Sequence, residues 1–186
     1  MPPPRTARAT QIVDAARRVL EAEGAEALTM RRLASELDMQ APSLYKHFDS
    51  KTAVERALIE AGLFNAGDVL HAAVARPGRQ GPVAALLRAY RAIGTAHPNL
   101  YRLTTGAGFL RDALTPGLED WGGEPFVLAT GDPHLAQALW AFAHGMVILE
   151  IDDRFLEDSD LDRTWAAGAR AFNAAADGVT ARTRLA

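Results

Sequence analysis

The 186-residue sequence contains no cysteine. Disulfides, thiolate metal sites and thiol-based redox sensing are therefore excluded. β-Branched residues are sparse while alanine and leucine abound, which favours helix over sheet. No apolar run approaches the roughly 18 residues that span a membrane. Lysine is almost missing: Lys46 and Lys51 are the only two, and every other basic side chain is arginine, a usage that points to a high-GC bacterial genome. No internal repeat is present, and no low-complexity tract beyond the alanine richness. The opening MPPPRTARAT has arginines but no hydrophobic stretch behind them, so it reads as a flexible arm before a helix and not as a secretory signal. A cytoplasmic protein is expected.

Apolar residues make up 48% of the chain, ample for the core of one compact domain or two small ones. The net charge of −3 argues against a protein that simply coats nucleic acid. The charge is unevenly spread. Residues 1–51 hold eight basic side chains against seven acidic, and residues 52–186 hold twelve against sixteen.

In residues 8–23, Ile12, Ala15, Ala16, Val19 and Leu20 share one helical face, and Gly24 is a stop signal. Thr29 is a good N-cap for a short helix, MRRLASEL. Asp38-Met39-Gln40 forms a tight connection, and Asp tolerates a left-handed backbone. Pro42 suits the first turn of another short helix that ends near Phe48. Ser50 then caps a long helix over 50–74. Two short helices around a tight turn make a helix-turn-helix unit, walled by the first helix. A breaker-rich segment, ARPGRQGP, separates a second helical set. That set comprises a helix ending at His97-Pro98, a short helix around LYRLTT, and only short helical turns over the Gly/Pro-rich 105–131. Two long helices follow, over 133–153 and 161–177. The fold class is all-α: an N-terminal three-helix helix-turn-helix domain over 1–51 and a C-terminal helical domain over 52–186, linked by helix 50–74.

The most informative stretch is QAPSLYKHF, residues 40–48. Leu44 and Phe48 are four apart and share the buried face, so Pro42, Ser43, Tyr45, Lys46 and His47 point outward or to the flanks. A narrow helix with such polar tips suits the DNA major groove. Tyr45, Lys46 and Lys51 are placed to bind phosphates, and Arg31 to reach a guanine edge or a phosphate. The plain alternative is a solvated helix face.

The string TMRRLASELDMQAPSLYKHFDSK resembles the DNA-binding domain of the tetracycline-repressor (TetR) family of bacterial transcriptional regulators, over roughly residues 8–60. LYKHFDSK is its most specific part. The resemblance implies that Gln40, Ala41, Pro42, Ser43 and His47 approach bases, that Thr29, Tyr45 and Lys51 hold phosphates, and that Arg31 contacts a base. Asp38 departs from the glycine commoner in the family turn. HPNLYRL and the Trp140, His144, Gly145 arrangement in LWAFAHGMV resemble a TetR subgroup with a Trp-His-Gly signature, whose C-terminal domain binds a small molecule and forms the dimer.

On that basis the partners are a palindromic double-stranded operator, a small apolar or amphipathic effector and a second copy of the chain, with no membrane and no cofactor. The role that the resemblance implies is repression relieved by the effector. Two recognition helices must sit about 34 Å apart to read one face of the duplex. The last two helices supply the dimer surface, with Ala166, Ala167, Gly168 and Ala171 allowing close approach and Trp165 and Phe172 as anchors. Aromatic pocket candidates are Tyr90, Tyr101, Phe109, Trp121, Phe126, Trp140 and Phe142, with His97 and His144 as polar tips. Each is equally compatible with ordinary core. No metal site is expected: the histidines lack ligand spacing, and Glu150-Ile151-Asp152-Asp153 reads as a solvated helix end. An inducer-free dimeric regulator remains open. A small helical hydrolase or isomerase using His144 with Asp or Glu lacks any nucleophile, phosphate-loop or HExxH motif.

Overall fold

The computed structural model describes residues 5–106 and 114–185, with side chains through 179. Among the described residues all regular structure is helical. The chain forms two compact units, Met1–Asn65 with His97–Leu118 and Ala66–Ala96 with Glu119–Ala186. The all-α expectation holds.

In the first unit, α1 spans Ala7–Glu23. The Thr6 hydroxyl accepts from the Ala9 N–H at its start, and Gly24, at φ 84°, returns its N–H to the Leu20 carbonyl at its end. Helix α2 (Met30–Glu36) is capped as expected: the Thr29 hydroxyl accepts from the Arg32 N–H at 3.1 Å. Such a cap stabilises by about 1 kcal/mol. The turn after α2 passes through Asp38 at φ 50°, with the Met39 N–H bonded to the Ala34 carbonyl at 2.8 Å. This is a left-handed helix ending in which Asp takes the place usually given to Gly. Helix α3 (Ala41–Tyr45) is only five residues long. Its last turn is looser than the periodicity suggests, although the Phe48 N–H still reaches the Leu44 carbonyl at 3.0 Å. Helix α4 (Lys51–Ala75) starts on Ser50, whose hydroxyl accepts from the Ala53 N–H.

Ile12, Val19, Leu20, Leu33, Leu44, Val54 and Leu58 are buried in one cluster, with Leu37 and Phe48 packed partly against it. Leu44 is 0% exposed. It is the main bolt holding α3, so truncating it to Ala should cost about 2–5 kcal/mol. A further helix, Pro98–Thr105, is α6 in chain order and docks on α1 through reciprocal caps. The Glu21 carboxylate accepts from the Leu100 N–H at 2.8 Å and the Asn99 N–H at 3.3 Å, while the Asn99 amide donates to the Leu20 and Glu21 carbonyls. Each helix end thus satisfies the orphan backbone groups of the other.

The second unit takes the end of α4, α5 (Gly81–Ala96), α7 (Leu118–Thr130), α8 (Pro133–Ile151) and α9 (Leu161–Leu185). Helix α5 packs against both α8 and α9, and its Val83, Leu86, Leu87 and Tyr90 are buried. The expectation of mere turns before α8 is corrected: α7 is a thirteen-residue helix despite Gly122, Gly123 and Pro125. Propensity opposes it, but buried Phe126 and Ala129 supply tertiary contacts that override it. Pro125 leaves the Trp121 carbonyl, one turn back, without its helical donor. His71 on α4 fills the gap, its Nε2 donating to that carbonyl at 3.1 Å. Helices α4 and α8 are long and apolar enough to match a membrane span by length and composition, a property that core helices share.

Candidate nucleic-acid interface and effector region

The polar side chains of QAPSLYKHF divide by exposure. Gln40, Pro42, Tyr45, Lys46 and His47 are exposed, Ser43 and Ala41 are half-buried, and Leu44 is sealed. Ala41 leans partly on the core cluster. Tyr45 is 52% exposed, high for an aromatic residue. Gln40 starts α3 without capping it by its side chain, so the amide keeps its donors and acceptor for another partner. The surface therefore presents a phenol, an ammonium, an imidazole and an amide on a support only five helical residues long.

The two arginines of α2 have opposite fates. Arg32 is clamped: its guanidinium donates to Glu23 at 2.6 Å and to Glu36 at 3.0 Å. The hydrogen bond from Arg32 holds the Glu23 carboxyl below its ordinary value, and the bond to Glu23 raises Arg32 in return. Arg31 is exposed and unpaired among the described residues. It is the arginine left available for a duplex. Lys51 is partly engaged: its ammonium donates to the Ala25 carbonyl at 3.2 Å and lies 3.3 Å from Glu55. One of its three donors is left for an external anion. Thr29 is exposed while its hydroxyl caps α2.

Glu60 went unnoticed in the sequence. It is 8% exposed on α4, with Oε2 accepting from Arg5 at 3.1 Å and Oε1 accepting from the Thr115 N–H and hydroxyl at 3.0 and 2.9 Å. The arm before α1, which reads as flexible in sequence, is thus tied down at Arg5. A lone acidic residue at a core spacing of a helix was the available signal, because it demands a partner.

The aromatic pocket candidates do not form one cluster. Tyr101 is buried in the first unit, and Phe109 lies outside the described residues. In the second unit Tyr90 meets Phe126 edge-on at 5.7 Å between ring centres. Trp121 stacks on His71 at 3.8 Å and lies directly over Gly67, where a Cβ would come within 2.5 Å of the indole. The indole N–H of Trp121 is buried with no partner among the described residues. Trp140 is 47% exposed on the outside of α8, with His144 one turn along at 5.9 Å. Burial holds His144 below the ordinary imidazole value.

Two expectations about the end of the chain need correction. Trp165, Gly168 and Phe172 face inward: the Trp165 and Phe172 rings pack on Phe142 at 5.8 and 5.6 Å, and a Cβ on Gly168 would land in the Phe142 ring. They anchor α9 to α8 within the protomer. Glu150 is no solvated helix end. It accepts from the Arg91 guanidinium at 2.7 Å and from the Trp165 indole at 3.0 Å, and the hydrogen bond from Arg91 raises that guanidinium above its usual value. Ala166, Ala167 and Ala171 are exposed, as a surface meant for close approach requires.

Residues 12–58 match the family of bacterial regulatory proteins, tetR family, and residues 83–172 match the tetracyclin repressor-like C-terminal domain. The chain belongs to the TetR family and is a DNA-binding helix-turn-helix transcriptional regulator. It is 29% identical over 160 residues to an uncharacterized HTH-type transcriptional regulator of Mycobacterium tuberculosis, covering 81% of this chain and 73% of that protein. Its fold is similar to that of regulatory protein SCO4313, with a TM-score of 0.73 at 23% identity over 91% of this chain and 98% of the other. It also resembles the Streptomyces coelicolor TetR family protein ActR, solved in complex with (S)-DNPA, with a TM-score of 0.63 at 22% identity over 96% and 99% of the two chains.

Proposed function

We propose that this regulator is a repressor that binds a palindromic operator as a homodimer and leaves it when a small apolar or amphipathic molecule binds the second segment. Residues 1–51 form the DNA-reading segment, and residues 52–186 the effector and dimer segment. The observation that carries the DNA half is the exposed set Gln40, Tyr45, Lys46 and His47 on a helix whose only buried side chain is Leu44. Gln40, Ala41, Pro42, Ser43 and His47 meet base edges. Thr29, Tyr45, Lys46 and Lys51 meet phosphates, and Arg31 reaches a guanine or a phosphate.

One recognition helix buries too little surface for specific binding, so two copies are needed. The apolar α8 is supporting: most of its length is not buried within the chain, and Trp140 and Leu149 stand exposed. A second copy would cover them.

The effector reading rests on Trp121. A buried unpaired donor is costly, and an acceptor atom on a ligand would satisfy it. Tyr90, edge-on to Phe126, supplies further aromatic surface; Trp140 and the adjacent His144 go with the outer face of α8, and Tyr101 and Phe109 stay candidates on their aromatic character alone. The signal then passes along the covalent joints: through α4, and through the segments next to Asn99 and Thr115, both fastened inside the first unit. A ligand shifts this balance only by its differential affinity for the two states.

The test is a shift assay on DNA from upstream of the protein's own gene, against random duplex of equal length. Preferential binding and footprints on two half-sites about one helical turn apart are expected. A single short footprint contradicts the homodimer. Any compound that raises the melting temperature by binding the second unit should weaken the complex, and unchanged operator affinity contradicts effector release.

A further inference from the structure

Lys51 and Glu55 form an ion pair at the start of α4, beside the surface proposed to meet DNA. The ammonium lies 3.3 Å from the Glu55 carboxylate, one helical turn further along. A second donor of the ammonium goes to the Ala25 carbonyl at 3.2 Å. The pair is asymmetric: the Lys51 side chain is 42% exposed and that of Glu55 24%, so the cation meets solvent over a better shielded anion. Helix stability does not account for this order. Lys51 is the first residue of α4, where the positive end of the helix dipole disfavours a cation. A lysine four residues before a glutamate is also the less favourable arrangement of such a pair. Lys46, the other lysine, is exposed and makes no ion pair or hydrogen bond among the described residues. Of the two ammonium groups, one is therefore free and the other is held by a carboxylate.

We propose that Glu55 is a brake on DNA binding: it holds the Lys51 ammonium on its own helix, so that a phosphate oxygen must compete with the carboxylate for it. The brake presupposes that Lys51 contacts phosphate, as proposed above, and it sets the strength of that contact. Two effects act in the same direction. An ammonium already paired with a carboxylate neutralises a phosphate less fully and displaces fewer condensed counterions. The carboxylate also stays close to the bound phosphate, and like charges at short range repel. Neither effect depends on base sequence, so the brake lowers affinity for every duplex alike. A regulator released by an effector gains from this, because the effector overcomes only as much affinity as its own differential binding supplies. Glu55 acts through Lys51 and is a positioning residue, not itself a contact.

Glu55→Gln tests it, because the amide keeps the length of the side chain and removes its charge. Thermal melting of the variant checks that the fold is retained. Binding to a random-sequence duplex, followed through a salt titration, should be about three- to fivefold tighter than wild type at low salt, with a steeper salt dependence. A purely structural role for Glu55 would move the melting temperature and leave the salt slope unchanged. In the Lys51→Ala background the same change should give a much smaller gain, since no ammonium is left to release. Unchanged or weaker binding by Glu55→Gln overturns the brake. An equal gain with and without Lys51 also overturns it, because the carboxylate would then act on the duplex directly. A Lys51→Ala protein that binds like wild type is a distinct result: it removes the phosphate contact on which the brake acts, and the brake with it.

Discussion

Lys46 and Lys51 have the same chemistry and different surroundings, so they separate under mutation. Lys46 is exposed, and its ammonium makes no internal contact among the described residues. Lys46→Ala should weaken binding to all duplexes alike and lower the steepness of the salt dependence by about one unit, with little change in melting temperature. Lys51→Ala should weaken DNA binding and also lower the melting temperature, because it releases the Ala25 carbonyl and Glu55. Titration against salt, paired with thermal melting, distinguishes the two. His144 adds a pH effect. Its folded proton affinity is depressed by burial, so the unfolded chain binds the proton more readily. Stability from this site is present above the unfolded value near 6.5 and is lost as pH falls through it. The wild-type melting temperature should therefore drop more between about pH 7 and about pH 5.5 than that of His144→Gln. At this scale the sequence displayed the outward residues of α3 well, because a two-residue buried face leaves no other direction for them. It hid the partners of Glu21 and Glu60, since those donors come from Asn99, Leu100, Thr115 and Arg5, far away along the chain.

Helix α7 shows what an element owes to its neighbours. Pro125 strips the Trp121 carbonyl of its helical donor, and His71 replaces it. His71→Ala should cost about 1–3 kcal/mol through the unpaired carbonyl and the lost stacking. Pro125→Ala restores a backbone donor, so His71→Ala in that background should cost less, and a double-mutant cycle in urea reads the coupling. The helix-turn-helix connection carries a second element-scale outcome. Asp38 sits at φ 50°, where a β-branched side chain is strained. Asp38→Val should destabilise by about 1–2 kcal/mol, while Asp38→Gly should not. Elements with a one-sided apolar pattern or a clear cap, such as α1 and α2, were legible from local chemistry, and α8 from its length and apolar content. Helix α7 was not, because its two glycines and proline argue against helix and only tertiary contacts reverse them.

For the whole molecule, membership of the TetR family and the all-helical fold connect a DNA-reading segment to a second unit whose α8 exposes Trp140 and Leu149. The inward turn of Trp165 and Phe172 explains why an anchor for the dimer was misplaced in the sequence. A helix packed on two sides carries two apolar faces, and spacing alone does not say which one belongs to the protomer. The central claim is that the exposed tips of α3 read DNA. Binding of wild type and of Gln40→Ala to a library of random duplexes, with the bound sequences counted, tests it most directly. The expected result is a palindromic preference for wild type and a changed preference at one symmetric pair of positions for Gln40→Ala, with overall affinity reduced by less than the Lys46→Ala effect. A wild-type protein with no sequence preference, or an identical preference in the variant, would contradict it.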